Sequence, residues 1–226
     1  MTDHFDAFSR LLEQRHSCRA FRPDPVDRDA VEQIVAAARR VPSWCNAQPW
    51  QLIVTAPNET DRFRTAMLEA AENKTPTPDI AWPERYSGVY LERRRACGFQ
   101  LYDAVGITRN DRDARRRPML ENERLFGAPH VAIVTSESER GPYGAMDCGG
   151  FIAAFTLAAT ALGIASIPQA AIAGYSTVVH DFFDIPPNRQ VLCAISFGYA
   201  DTGAAANQFR TERAEVADIL DWRGTG

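Results

Sequence analysis

Apolar residues recur along most of this chain at the spacing of an α-helix. Val31, Ile34, Val35 and Ala38 stand at i, i+3, i+4 and i+7, which predicts a helix over 26–41 with Asp27 as its N-cap and Pro42 as its stop. Phe8, Leu11 and Leu12 share one side of a helix over 6–14, and Phe63, Ala66, Met67 and Ala70 share one face over 59–71. Two arginine-rich helices are predicted over 90–105 and 111–126, and an Ala-rich one with few polar residues over 147–162. The last has the character of a central buried helix. Short runs of branched residues predict strands at 51–55, 131–135, 164–167 and 191–198. Between 73 and 88 the pattern breaks down around Pro76, Pro78, Pro83, Trp82 and Tyr86, which predicts a long loop of the kind that forms lids or binding segments.

Short strands separated by helices point to a sandwich with helices covering a central sheet, of the α/β or α+β class. No G-x-G-x-x-G follows a strand and no P-loop is present, so a nicotinamide cofactor would bind transiently in an open pocket. The chain of 226 residues fits one domain over 1–226, with a tail over 204–226 that is poor in core-forming residues until Val216, Ile219, Leu220 and Trp222.

Composition narrows the function classes. The net charge of −4 gives no general attraction for nucleic acid, although arginines cluster at 93–95 and 115–117. Lys74 is the only lysine, so nearly every cation is the residue type suited to bidentate phosphate contacts, or else reflects a bias of composition. No segment reads as a secretory signal or a membrane span; the best candidate, 148–167, reads as a buried helix. Cys18, Cys45, Cys97, Cys148 and Cys193 are scattered and form no C-x-x-C, and His4, His16, His130 and His180 lie far apart. Neither a disulfide framework nor a metal site is expected, and a cytoplasmic location is.

Four segments carry candidate chemistry. In Arg15-His16-Ser17-Cys18-Arg19, two arginines flanking a serine suit one phosphate, or else form a solvated basic face. Pro42-Ser43-Trp44-Cys45-Asn46-Ala47-Gln48-Pro49-Trp50 gathers amides that suit a heterocycle edge and indoles that suit stacking, or else forms a well-packed turn. Ile167-Pro168-Gln169-Ala170-Ala171 is expected as a loop at a strand's carboxyl end, where open sheets place ligands. Asn207-Gln208-Phe209-Arg210-Thr211-Glu212-Arg213 adds two arginines beyond the last strand.

Taken in order with Phe126-Gly127-Ala128-Pro129 and the Phe197-Gly198-Tyr199-Ala200-Asp201 run, these segments resemble the nitroreductase family of FMN enzymes from Leu12 to about Leu220. The resemblance implies an α+β three-layer sandwich with a central, mainly antiparallel sheet, built as an intertwined homodimer whose tail wraps the partner. It implies FMN as cofactor and NAD(P)H as co-substrate, with hydride passing through flavin N5 to an electron-poor nitroaromatic or quinone. Arg15, His16, Ser17, Cys18 and Arg19 would hold the flavin, with Arg19 near its N1 and O2 edge as an electrostatic stabiliser. Pro42, Ser43, Trp44, Asn46 and Gln48 would reach the partner's flavin; Asn122, Pro168, Gln169 and Ala170 would lie along it; Arg210 and Arg213 would meet the phosphate. Trp44, Trp82 and Tyr86 would shape the acceptor site, and the arginines at 93–95 would bind a carboxylated acceptor or face solvent. The chain departs from the family pattern at Trp44, where a small residue is commoner, and at Gln169-Ala170-Ala171, where an acid and a glycine are commoner. Reductive dehalogenation, consumption of flavin in a biosynthetic step and FMN storage without turnover remain as alternatives.

Overall fold

The computed structural model describes residues 3–107 and 120–224. Its centre is a four-stranded antiparallel sheet in the order β1-β2-β4-β3, from β1 (Gln51–Val54), β2 (His130–Glu137), β3 (Ala165–Gln169) and β4 (Arg189–Gly198). The two central strands are covered on both faces, so their side chains alternate between two cores rather than between core and water. Ala132 and Val134 of β2 join Cys193, Ile195 and Phe197 of β4 on one side. Val131 and Ile133 join Val191 and Ala194 on the other. A bulge between Val134 and Thr135 shifts the register of this central pair.

The first face is covered by α2 (Arg28–Ala38), through Ile34 and Ala38, and by α5 (Gly141–Ala161), through Cys148, Phe151, Phe155 and Ala159. The second is covered by α3 (Pro57–Asn73), through Phe63 and Met67, and by the short α6 (Ala170–Ala173) and α7 (Ser176–Phe183). Helix α1 (Asp3–Gln14) buries none of its residues, and neither does α4 (Gly88–Ala104). The result is the expected α+β three-layer sandwich. One helical stretch, Ser138–Ala161, is long and apolar enough to cross a membrane, but its phenylalanines pack on the sheet.

The structure corrects several predicted elements. Asp27 precedes α2 without a side-chain cap bond; its carbonyl takes the Ala30 and Val31 amides at 3.1 and 3.2 Å, and the helix ends at Ala38, three residues short of 41. Helix α5 starts at Gly141, six residues before 147, because Pro142 is seated in its first turn, where a missing N–H costs nothing. Pro168 and Gln169 lie inside β3, not in a loop after it; β3 is an edge strand, where a proline is tolerated. Most of the helix predicted over 111–126 lies outside the described residues, as do the arginines at 115–117. Of its described end only Leu120 is helical: residues 121–124 form a turn, and Leu125 and Phe126 take left-handed φ of 56° and 52°. Helices α6 and α7 had no counterpart in the hydrophobic pattern.

Candidate functional site

Residues 15–21 run along the sheet through two isolated bridges, one to β3 and one, from Phe21, to Ala200 after β4. Ser17 pairs in parallel with Ser166, and the Cys18 amide donates to the Ser166 carbonyl at 3.2 Å. Extended backbone turns successive side chains to opposite sides. Ser17 and Arg19 therefore face outward, while Cys18 is fully buried, its thiol donating to the Ala20 carbonyl at 3.1 Å. Burial pushes that thiol's pKa up, and the side chain packs inward, away from the outward pair.

The outward side chains meet the tail. Arg15, His16, Ser17 and Arg19 line one cavity of about 490 Å³ with Leu12, Glu13, Phe209, Arg210, Thr211 and Arg213. Asn207, which the sequence motifs contained but did not single out, ties the two segments together. It accepts the Arg19 amide at 2.7 Å and donates its Nδ2 to the carbonyls of Ala20 and Asp201 at 2.9 and 2.8 Å. The Arg19 guanidinium lies 5.2 Å from the centre of the Phe209 ring and donates to the Ser17 carbonyl at 3.1 Å.

This cavity sets four arginines and a histidine against one lining carboxylate, that of Glu13, so its charge is predominantly positive. No carboxylate pairs with Arg15, Arg19, Arg210 or Arg213 among the described residues. Burial lowers the pKa of Arg15, and Arg213 lowers it further. Burial also lowers that of His16, with Arg210, Arg15 and Arg19 adding, against its bond to the Gln14 carbonyl at 2.8 Å. Cations gathered in a cavity with a serine hydroxyl make a site for a multiply charged anion, which relieves the repulsion and fills the donors together. The donor set fits the phosphate end of a flavin mononucleotide.

At the end of β3 the faces alternate again. Pro168 and Ala170 are exposed, but Gln169 is only 3% exposed. Its Oε1 accepts the Ser196 hydroxyl at 2.5 Å, and its Nε2 donates to the Asn122 carbonyl at 2.9 Å. The Gln169 side chain therefore positions Asn122 and turns away from any ligand above the strand. Beside it, Glu123 is buried with one carboxylate oxygen lacking a partner, and burial raises its pKa.

The segment 42–50 stands apart from the cationic cavity within one chain. A one-turn helix, Trp44–Asn46, is folded on left-handed Cys45, Asn46 and Gln48, with φ of 48°, 56° and 49°. Asp147 of α5, absent from the predicted set, accepts the Trp44 amide with both oxygens at 3.2 and 3.1 Å. The Tyr143 ring meets the Trp44 indole edge-on at 4.3 Å, and the Ser43 hydroxyl takes the Gln48 amide at 3.0 Å. Trp44 is thereby held outward, exposed and rigid. Trp82 and Tyr86 are both half-exposed; Trp82 rests on Gly174, where any side chain would collide with its ring, and Arg94 sits 5.1 Å from the Tyr86 ring centre. Among the described residues no cluster of His, Cys, Asp or Glu suits a metal ion.

Comparison with known proteins agrees with this arrangement. The profile of the Nitroreductase family matches residues 12–199. Nitroreductase NfnB of Mycolicibacterium smegmatis is 37% identical over 96% of this chain and 92% of its own length. The 4-nitrobenzoate reductase of Pseudomonas putida is 32% identical over 99% and 97%. The crystal structure of the FMN-dependent nitroreductase NfnB from Mycobacterium smegmatis, in complex with NADPH, superposes with a TM-score of 0.93, at 36% identity, over 98% of this chain and all of that one. A sheet bridged by Arg15–Phe21, closed by a tail that brings back two arginines and matched from end to end by such relatives, makes this chain a member of the nitroreductase family.

Proposed function

We propose that this protein is an FMN-dependent reductase that takes electrons from NADPH and delivers them to nitroaromatic or quinone acceptors, working as a cytoplasmic homodimer. The observation that carries the reading is the predominantly cationic cavity assembled from residues 15–19 and 210–213. Arg15, Ser17, Arg210 and Arg213 would hold the phosphate, and Arg19 would lie against the electron-rich edge of the flavin. Bound FMN supplies the two-electron carrier. The chain's own part is to bind it, fix its tilt and stabilise the negative charge that reduction creates, which for Arg19 is worth several kcal/mol in a water-poor site, or about 10²–10³ in rate. Pro168, Ala170 and Asn122 lie where the β3 end would line the ring.

Three surfaces support the dimer. Helix α5 leaves Met146, Gly149, Gly150 and Ala153 exposed in a row, and α1 exposes Phe5, Phe8 and Leu12. Strand β1 has one unpaired edge beside a mostly apolar groove of about 890 Å³, lined by Val31, Val35, Leu52 and Val54. The tail exposes Val216, Ile219, Leu220 and Trp222 by 70, 76, 47 and 71%. A second copy's tail in that groove would cover both, and Pro42, Ser43, Trp44, Asn46 and Gln48 would then serve the other copy's flavin. The five cysteines are all unpaired thiols, which suits a reducing compartment.

The test is a spectrum and an assay. Purified protein should show flavin absorption, and NADPH oxidation should start only when 4-nitrobenzoate or a quinone is added. A colourless protein that takes up no added FMN would overturn the cofactor. A yellow protein that turns over neither acceptor would make it a flavin carrier.

A further inference from the structure

The segment between α3 and α4 lacks regular structure from 74 to 87, yet it is fastened at its middle. The Thr77 amide donates to the Gly174 carbonyl at 2.7 Å, the Asp79 amide to the Ser176 hydroxyl at 3.1 Å, and Gln190 Nε2 to the Asp79 carbonyl at 3.4 Å. The Asp79 carboxylate accepts the Val191 amide of β4 at 2.7 Å and meets His180 Nε2 of α7 at 2.9 Å. The other ring nitrogen of His180 lies 3.0 Å from the Ile185 carbonyl. Both nitrogens thus face oxygen acceptors, and only the protonated ring has two N–H groups to donate. The two side chains are 18% and 23% exposed, so solvent competes little for these bonds.

We propose that Asp79 and His180 form a titratable latch that holds the 74–87 segment on α6, α7 and β4, and so positions Trp82 beside the turn after β3. Two residues separate Asp79 from Trp82, whose ring rests on Gly174 at the end of α6. Burial works against the charged ring, but the Ile185 carbonyl and Asp79, with Asp181 adding, raise its pKa above the ordinary 6.5. Asp79 and Asp181 are the charges that act on it; Arg189 of β4 turns instead to Thr135 and the Pro49 carbonyl. A raised folded-state pKa fixes the sign. The latch stabilises fully below the unfolded value and is lost as pH rises through the folded one.

The first test is independent of turnover. Hydrogen-exchange protection in the FMN-loaded full chain is followed from about pH 6 to about pH 9 and corrected for intrinsic exchange. The Thr77 and Asp79 amides should lose about tenfold, the worth of one charge-assisted hydrogen bond, while Ile133 stays constant. His180→Gln keeps a donor without a titration and should flatten the profile; Asp79→Asn should do the same. If those variants fold poorly, a fluorescence step with the same midpoint that disappears in Trp82→Phe supports the latch. A flat wild-type exchange profile, or a step that survives in His180→Gln, overturns it. The consequence for turnover rests on the reductase reading: KM for the nitroaromatic should rise at the same midpoint while the rate of NADPH oxidation at saturating acceptor holds. A constant KM beside an intact exchange step overturns the positioning role, whereas absent turnover with that step intact would count against the reductase reading alone.

Discussion

At the scale of single residues, charge was legible and orientation was not. Arg15, Ser17 and Arg19 were readable because few residue types serve a phosphate, and the structure brings them into one cavity with Arg210 and Arg213. The inward orientation of the Cys18 and Gln169 side chains was not legible, for a common reason. In extended backbone a change of one position turns a side chain to the other face, and the sequence does not mark where the bridge at Ser17 or the end of β3 falls. Arg19 is the residue whose role is most exposed to test, because its amide is fixed by Asn207 and its guanidinium lies against Phe209. Arg19→Ala removes a charge-assisted contact worth about 1.5–3 kcal/mol, so flavin binding should weaken by about 10- to 100-fold. Flavin fluorescence titration measures this directly, and Arg19→Lys should recover part of the loss. Unchanged affinity together with an unchanged reduction rate would remove Arg19 from the site.

At the scale of elements, long amphipathic helices were read correctly because their periodicity runs over several turns, as α2 and α3 show. The failures were short or strained. Helices α6 and α7 span only 4 and 8 residues, too few to display a period. At the end of the helix expected to reach Phe126, Leu125, Phe126 and Gly127 all adopt left-handed backbone, which no hydrophobic pattern encodes. Helix α5 was recognised as the central one, but its pattern did not reveal that one face stays uncovered in a single chain. Gly149 lies on that face with no atom within 4 Å of where a Cβ would stand. Gly149→Glu should therefore leave the protomer folded, with a helix-propensity gain of about 0.5–1 kcal/mol. In a dimer it would bury two unpaired carboxylates against each other, at several kcal/mol. Light scattering should find monomers with native circular dichroism and poor flavin retention; a variant that stays dimeric would move the interface off α5.

At the scale of the whole molecule, the features left without a partner complement one another. The groove between α2 and the open edge of β1 is mostly apolar, and the residues beyond Arg213 hold apolar side chains that their own chain does not cover. A tail of this kind gains little by remaining in water, since each Val, Leu or Ile buried contributes about 1.5–3 kcal/mol. Ending the chain after Arg213 keeps Arg210 and Arg213 and removes Val216, Ile219, Leu220 and Trp222 together with Glu215, Asp218, Asp221 and Arg223. On the proposed dimer, in which each tail sits in the other copy's groove, the truncated protein should dimerise at least about 100-fold less tightly. Its thermal midpoint should fall and become concentration-dependent over a range where the full chain's is not. Flavin affinity should fall in parallel, since the 42–50 loop of the other copy would no longer be held in place. Sedimentation equilibrium with and without FMN separates the two effects. If truncation leaves the dimer equally tight, the groove is filled by something other than the partner's tail, and α5 alone must hold the two copies together.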